Sequence, residues 1–233
     1  MLKITNLVKK YGNKEVLRGI DIEVKAGEIF GFIGHNGSGK TTTIKAIVGI
    51  HDFDDGEILI EGMNIKKQPL ACKKIMAYIP DNPDLYENIK AIDYLYFLAN
   101  IYQMDKHVAD DKIAHLAKEF EIEDNLGDKI KSLSHGMKQK IALIGAFMHE
   151  PKLLVLDEPF VGLDPKASFI LKQKMKELCA RGGSIFLSSH VLEVVESLCD
   201  KVAILKDGKI AIQGETAKII EQKQSLEALF LEM

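Results

Sequence analysis

A glycine-rich loop between a strand and a helix is the feature that most limits how this chain can fold. Residues 34–42 read Gly-His-Asn-Gly-Ser-Gly-Lys-Thr-Thr, which matches the pattern G-x-x-x-x-G-K-[ST]. Residues 28–33 before it have the apolar character of a buried strand, and residues 41–49 after it have the pattern of a helix closed by glycine. Strand, loop and helix in this order predict a phosphate-binding loop in a parallel α/β sheet.

The residue types in this loop suit a chain of phosphates. Glycines let backbone N–H groups turn inward around phosphate oxygens, and the following helix adds N–H groups and its positive dipole end. Lys40 would contact the β- and γ-phosphates, and the Thr41 hydroxyl would ligate Mg²⁺. We therefore predict a nucleoside triphosphate site formed by Gly34, His35, Asn36, Gly37, Ser38, Gly39, Lys40, Thr41 and Thr42.

Two further groups of polar residues follow buried strands. Asp157 and Glu158 come directly after the apolar residues 153–156, and His190 follows the apolar strand 184–187. The carboxyl ends of parallel strands meet at one sheet edge, where ligands of such sheets bind. We expect Asp157 to hold Mg²⁺, Glu158 to act as general base for the attacking water, and His190 to donate a hydrogen bond to the γ-phosphate.

The order of the elements predicts a parallel-sheet core with two additions. Apolar and charged residues alternate over residues 16–24, which is typical of a half-buried antiparallel strand and indicates an N-terminal β subdomain. An inserted helical subdomain is predicted at residues 84–149, and residues 1–83 and 150–233 would form the catalytic core with the β subdomain. Helical spacing of apolar residues within the insertion indicates helices over 89–102, 108–120 and 136–147.

Composition narrows the class of protein and its surroundings. A length of 233 residues allows one substantial domain, and a net charge of −3 gives no overall attraction to nucleic acid, so no nucleic-acid partner is expected. Three widely spaced cysteines fit a reducing compartment better than a disulfide framework. The first residues lack the apolar core of a signal peptide, and no apolar run is long enough to cross a bilayer, so we expect any membrane-spanning part to belong to another chain.

Taken in order, these segments resemble the ATP-binding cassette (ABC) family. The segment that separates this family from other phosphate-loop ATPases is a Leu-Ser-Gly-Gly-Gln-like sequence, which here reads Leu-Ser-His-Gly-Met-Lys-Gln-Lys over residues 133–140. The resemblance covers essentially the whole chain and implies a RecA-like core of the P-loop NTPase type, with ATP and Mg²⁺ as cofactors. It implies that Lys40, Glu158 and His190 are catalytic and that Asp157 and Glu158 are the Walker B acids.

The same resemblance implies a second chain at the site. In the family, Ser134 and the N–H of Gly136 would contact the γ-phosphate held by the partner's phosphate loop, Asp164 would belong to the D-loop at the dimer interface, and Tyr11 would stack on adenine. A homodimer or a paired cassette with two composite sites would follow, because a two-fold interface is self-complementary. Ser134 is also expected to be an ordinary N-cap of a helix, and capping uses the same N–H groups.

Three positions depart from the family pattern. His135 replaces the usual second glycine and Met137 the usual glutamine of the signature segment, and Asp81 stands where the family commonly has a glutamine. The His135 side chain is expected to crowd the nucleotide or, when protonated, to add a contact. Asp81 can still bind metal or water, but it is shorter and negatively charged.

The leading interpretation is the ATPase subunit of an ABC exporter, driving an integral membrane permease at the cytoplasmic face of the membrane. The permease would dock near residues 81–89. One alternative is a soluble cassette such as an iron–sulfur assembly ATPase, which the length does not exclude. Another is a nucleotide-sensing clamp with little turnover, which Asp81 and His135 would favour and which Glu158 and His190 argue against.

Overall fold

The computed structural model describes residues 1–223 and 225–231. Within this part of the chain, ten strands form two sheets: β1 (Leu2–Tyr11), β2 (Lys14–Val24), β3 (Ile29–Gly34), β4 (Asp55–Ile60), β5 (Met63–Asn64), β6 (Met76–Ile79), β7 (Leu153–Asp157), β8 (Ser184–Ser188), β9 (Lys201–Lys206) and β10 (Lys209–Glu215). The helices of this part are α1 (Lys40–Ile47), α2 (Pro69–Lys74), α3 (Ala91–Ile101), α4 (Lys106–Glu119), α5 (His135–Phe147), α6 (Pro165–Ala180), α7 (Leu192–Leu198), α8 (Thr216–Lys223) and α9 (Leu226–Leu231).

The larger sheet has the strand order β10-β9-β3-β8-β7-β6. Strands β9, β3, β8, β7 and β6 are parallel, and β10 pairs antiparallel with β9 at one edge. Successive side chains of a strand point to opposite faces of the sheet, so each strand contributes side chains to two hydrophobic cores. In β3, Phe30 and Phe32 enter one core, whereas Ile29 and Ile33 enter the other. The carboxyl ends of β3, β6, β7 and β8 therefore share one edge, which places the loops that follow them side by side.

The smaller sheet is antiparallel, with the order β2-β1-β4-β5. Its buried residues Leu2, Ile4 and Ile22 share a core with Ile44 and Ile47 of α1. This sheet covers the face of the parallel sheet on which α1 packs. The predicted α/β fold, a P-loop parallel-sheet core with an antiparallel β subdomain, is confirmed.

Helices α3, α4 and α5 lie between β6 and β7, and each agrees with a predicted helix to within two residues. Leu95 of α3, Ile113 of α4 and Ile144 of α5 are buried in the core on the other face of the parallel sheet. Differences of this size at helix ends are normal, because terminal turns fray. The limits of the helical subdomain at residues 84 and 149 stay a prediction.

Strand β1, the two-residue strand β5 and helix α2 have no counterpart in the sequence prediction. The alternation of β1 is interrupted by register shifts between Ile4 and Leu7 and again after Leu7, so its apolar residues lose the period of two. Helix α2 has only six residues, starting at Pro69, and is too short for a helical period to show. Within residues 1–223 and 225–231, no helix has both the length and the apolar character needed to cross a membrane.

Candidate active site

The phosphate loop runs from the end of β3 to the start of α1. Gly39 is the N-cap of α1 and has a φ of 114°, in the left-handed region that favours glycine. A Cβ at this position would lie 2.7 Å from Cδ2 of Leu17, so a side chain is also excluded by space. The tight bend brings the first N–H groups of α1 to the sheet edge, in the geometry that binds anions.

Lys40 lies inside the loop. Its Nζ donates to the carbonyl oxygens of Gly34 at 2.6 Å and of His35 at 3.2 Å. Burial lowers the pKa of Lys40, and the charges of Glu158 and Asp157 oppose that shift. The ammonium group is thus held against the loop that would enclose the phosphates.

Asp157 ends β7 and is only 3% exposed. The Ser188 hydroxyl donates to one carboxylate oxygen, and the Thr41 hydroxyl donates to the other at 3.3 Å. Burial raises the pKa of Asp157, and the negative charges of Asp81 and Glu158 raise it further, while the two hydroxyl bonds oppose the shift. The charge of Lys40 interacts with this carboxylate, yet the pKa of Asp157 stays raised.

That electrostatic deficit fits a divalent cation. Thr41 Oγ1 and Asp157 Oδ2 are hard oxygen ligands of the kind that Mg²⁺ takes together with phosphate oxygens and water. Among the described residues, no group of three or more His, Cys, Asp or Glu side chains is placed to hold a metal ion by itself. The arrangement suits a metal that arrives with a nucleotide.

Glu158 and His190 form a pair beside Asp157. Nδ1 of His190 lies 2.8 Å from Oε2 of Glu158, and the backbone N–H of His190 donates to the same oxygen at 3.2 Å. The N–H of Glu158 donates to the Ser188 carbonyl at 3.1 Å. Glu158 has a φ of 50°, in a region that costs a non-glycine residue about 1–3 kcal/mol, and six other described non-glycine residues also have a positive φ.

A cavity of about 350 Å³ opens between these groups. Most of the predicted nucleotide and metal residues line it, together with Val16, which the sequence did not single out: Tyr11, Val16, Asn36, Gly37, Gly39, Lys40, Thr41, Thr42, Asp81, Asp157 and Glu158. The hydroxyl of Ser38 is buried beneath the loop and has no hydrogen-bond partner in the protein. An unpartnered buried hydroxyl fits a phosphate oxygen as its missing acceptor.

Tyr11 and Asp81 stand at the rim of this cavity. Tyr11 is 46% exposed, and its hydroxyl is 2.9 Å from Nδ1 of His51. The Asp81 carboxylate accepts from the N–H of Asn82 at 2.8 Å and is exposed. Both side chains are therefore open to a ligand that enters from solvent.

The segment that begins α5 does not line this cavity in the part of the chain that the structure describes. Ser134 is the N-cap of α5 and accepts from the N–H of Met137 at 3.3 Å, as the sequence predicts. A Cβ on Gly136 would lie only 2.6 Å from the carbonyl oxygen of Gly162. The start of α5 therefore packs closely on the 162–164 turn of its own chain.

His135 and Asp164 strengthen that contact. The imidazole of His135 packs against Gly162. A Cβ added to Gly162 would lie 2.4 Å from Cδ2 of His135. Asp164 caps α6 by accepting from the N–H of Ala167 at 2.8 Å, and it pairs with Nζ of Lys140 at 2.9 Å. The Ala167 N–H and the Lys140 ammonium lower the pKa of Asp164. His135 thus packs on Gly162 of its own chain, a contact that the sequence did not indicate.

Gln139 adds a contact that the sequence also did not indicate. It is buried in α5, and its Nε2 donates to the carbonyl oxygen of Pro159 at 3.3 Å. Helix α5 is therefore joined to the segment following the acidic strand at Pro159, Gly162 and Asp164. Each pair is separated by twenty or more residues, so no local pattern could reveal it.

Comparison with known proteins agrees with this geometry. The family model of the ABC transporter ATPase domain, described as "ABC transporter", matches residues 17–161. The ABC-type transporter ATP-binding protein EcsA of Bacillus subtilis (strain 168) is 34% identical, over 100% of this chain and 96% of the relative. The SkfA peptide export ATP-binding protein SkfE of the same organism is 35% identical, over 90% of this chain and 87% of the relative.

A solved structure of similar fold was found as well. A structure described as the ATP-binding subunit of an ABC transporter superposes with a TM-score of 0.95 at 36% identity, covering 100% of this chain and 98% of that one. The similarity to sequence relatives and to a solved structure thus extends over the whole chain. The chain belongs to the ABC transporter family and is an ATP-binding ATPase subunit of that family.

Proposed function

We propose that Glu158 is the general base of ATP hydrolysis in this chain and that His190 positions it. The observation that carries the proposal is the Glu158–His190 pair at the mouth of the phosphate-loop cavity. A carboxylate at this place can take a proton from a water aligned with the γ-phosphorus. On nucleotide binding, His190 is free to turn its N–H toward the γ-phosphate, because its side chain is 64% exposed.

The loop and its rim would hold the nucleotide. Lys40 exchanges the two loop carbonyls for β- and γ-phosphate oxygens, and Ser38 gains an acceptor. The aromatic ring of Tyr11 offers a face for adenine at the open end of the cavity. The remaining binding residues contribute backbone N–H groups, and they are Gly34, His35, Asn36, Gly37, Gly39 and Thr42.

Mg²⁺ would be held by Thr41 and Asp157, with Asp81 acting through water. A cation there would neutralise the crowded carboxylates and stabilise charge on the phosphates. It would favour the ionised form of Asp157 and so oppose the effect of burial on the pKa of Asp157. Asp81 is exposed and beside the cavity, so a bridging water can reach it.

A second cassette would complete the site. Ser134 and Gly136, at the start of α5, do not line the cavity of their own chain, so we assign their N–H groups to a γ-phosphate held by a partner chain. Asp164 would lie at the same interface, where its link to Lys140 fixes the turn. We infer a two-fold dimer, of this chain with itself or with another cassette, that closes on two ATP molecules.

An integral membrane permease would dock on the helical side. Two adjoining cavities share Tyr78 and Tyr102, and one of them contains residues of the predicted 81–89 docking segment. The apolar side chains of Ile50, Leu70 and Ile101 are more than half exposed around them. Docking there would hold the chain at the cytoplasmic face of the membrane, and relatives described as export proteins favour an exporter.

Phosphate release by the purified full-length chain tests the catalytic proposal. We expect Mg²⁺-dependent hydrolysis that EDTA abolishes, and a loss of about 10²–10⁴-fold in Glu158→Gln. Glu61→Gln, on an exposed turn, is the matched control and should keep the rate. Equal near-zero rates in wild type and Glu158→Gln would instead support a nucleotide-sensing clamp.

Detergent extraction and affinity purification from the native cells test the membrane proposal. We expect an integral membrane protein to co-purify with wild type and with Val108→Glu, an exposed position on α4. Leu70→Glu should lose that partner, because it places a charge in the apolar surface. Purification of wild type without any membrane protein would favour the soluble cassette.

A further inference from the structure

The C-terminal helix α9 reaches the phosphate loop. The ring of Phe230 packs against the imidazole of His35, with ring centroids 4.1 Å apart and planes inclined by 36°. His35 is the second residue of the loop, and its carbonyl oxygen accepts from Nζ of Lys40 at 3.2 Å. One aromatic contact therefore joins α9 to the residue whose backbone holds the phosphate-binding lysine.

Helix α9 is anchored independently of this contact. Leu226 and Leu229 are buried in the core beneath α7. The N–H of Leu226 donates to the carboxylate of Glu196 in α7, and the hydroxyl of Ser225 accepts from the N–H of Ala228 at 3.0 Å. Phe230 thus projects from a helix that is held by buried and hydrogen-bonded contacts of its own.

The loop side of the contact is the part that needs support. The His35 side chain is otherwise exposed, and the loop backbone passes through positive φ angles at Gly37 and Gly39. Glycine-rich backbone loses more conformational entropy than other backbone when it becomes ordered around a ligand. A side-chain anchor at His35 reduces that cost before the nucleotide arrives.

We propose that Phe230 is a positioning residue of the phosphate loop: it holds His35 so that the loop is ordered for the α- and β-phosphates before nucleotide binds. The proposal rests on nucleotide binding at this loop as set out above. Because the anchored part encloses phosphates common to both nucleotides, Phe230 supports ATP and ADP alike. Its ring packs on His35, so Phe230 acts on binding rather than on bond cleavage.

Calorimetric titration of the full-length chain with ADP, and with ATP in the Glu158→Gln background, tests this role. We expect Phe230→Ala to weaken both affinities by about 3- to 10-fold, the range of an aromatic pair. In the otherwise wild-type chain KM rises similarly while kcat at saturating ATP stays within about twofold. Phe230→Tyr keeps the ring and restores the affinity. Glu227→Ala, an exposed position on the same helix, is the matched control.

A double-mutant cycle separates positioning from a general loss of stability. His35→Ala and Phe230→Ala should weaken ADP binding by similar factors, and the double variant should be no weaker than either single one. Without nucleotide, Phe230→Ala and Phe230→Leu should have similar thermal midpoints. Both variants should nevertheless lose ADP affinity.

Unchanged ADP affinity in Phe230→Ala, or fully additive losses with His35→Ala, would overturn the proposal. An affinity loss that Phe230→Tyr fails to restore would overturn it too. Absence of ATP and ADP binding by the wild-type chain would overturn the proposed function itself, and these outcomes are therefore distinguishable.

Discussion

The phosphate loop and the start of α5 are both helix N-termini with N–H groups suited to an anion, but their surroundings differ. Opposite the loop, the same chain places the carboxylates of Asp157 and Glu158 and a 350 Å³ cavity. Opposite the start of α5, it places the backbone of Gly162 and, a little further along the helix, the Asp164–Lys140 ion pair. The first terminus has a site in its own chain, and the second has a rigid support but no site.

The polar groups of the two regions also differ in their surroundings. The loop region contains a carboxylate whose pKa is raised by burial, a buried hydroxyl without a partner and a strained Glu158. The α5 region contains a satisfied N-cap and an aspartate whose pKa is lowered by its partners. The unpartnered hydroxyl of Ser38 lies beside a cavity and points to a ligand bound by this chain. In the α5 region Gln139 Oε1 also lacks a partner, but Gln139 does not line that cavity, and the closely packed helix start suits a surface offered to a partner.

Mixing two inactive variants is the strongest test of this contrast. Lys40→Ala should abolish hydrolysis by removing the phosphate contact, and Ser134→Arg should abolish it by blocking the partner's site. A mixed dimer keeps one intact composite site, so an equimolar mixture should recover about a quarter of the wild-type rate if the sites are independent. Phosphate release measures it, with each variant alone as control. A mixture as inactive as its components would contradict completion of the site by a second chain.

Nucleotide affinity of the single chain sharpens the contrast. Lys40→Ala should weaken ADP binding by about 10- to 100-fold, because it removes charge-assisted hydrogen bonds worth about 1.5–3 kcal/mol. Ser134→Ala should leave that affinity unchanged, since Ser134 does not line the cavity. Its cost is about 1 kcal/mol of helix stability through the lost N-cap. Titration calorimetry at protein concentrations too low for dimerisation measures the ADP affinity of both variants. Weakened ADP binding in Ser134→Ala would place the start of α5 in the site of its own chain.

The pH dependence of stability should give the smallest effect. Its sign should be opposite for the loop region and the α5 region. Because the pKa of Asp157 is raised by folding, the unfolded chain releases that proton first and stability falls as pH rises through this range. Asp157→Asn should therefore raise the thermal midpoint of the nucleotide-free chain at about pH 7, and the gain should shrink toward about pH 4. Hydrolysis should be lost in the same variant.

Asp164→Asn is the matched control for that measurement. The pKa of Asp164 is lowered by folding, so its charge contributes stability that is lost as pH falls through the folded pKa. The substitution should lower the midpoint slightly near neutral pH and have no effect in acid. Equal responses of the two variants would contradict the assignment of opposite electrostatic surroundings.

Much of the fold and of the loop site follows from local patterns. The phosphate loop is nine consecutive residues between a strand and a helix, so its backbone geometry is set by neighbours along the chain. Asp157 and His190 could be placed because parallel strands end at one sheet edge. Strand β1 was not predicted because its register shifts break the alternation of apolar and polar residues. Helix α2 was not predicted because six residues are too few to show a helical period.

Local sequence patterns are enough to predict the cassette: the order of strands and helices, the loop that binds phosphates and the acids at the end of β7. The way these parts support one another depends on tertiary packing. His135 lies on Gly162, Lys140 pairs with Asp164, and Phe230 packs on His35. Such contacts join residues far apart in the chain, and they depend on how helices and turns pack rather than on any spacing. The local pattern does not reveal these packing contacts, and they set the positions of α5 and α9.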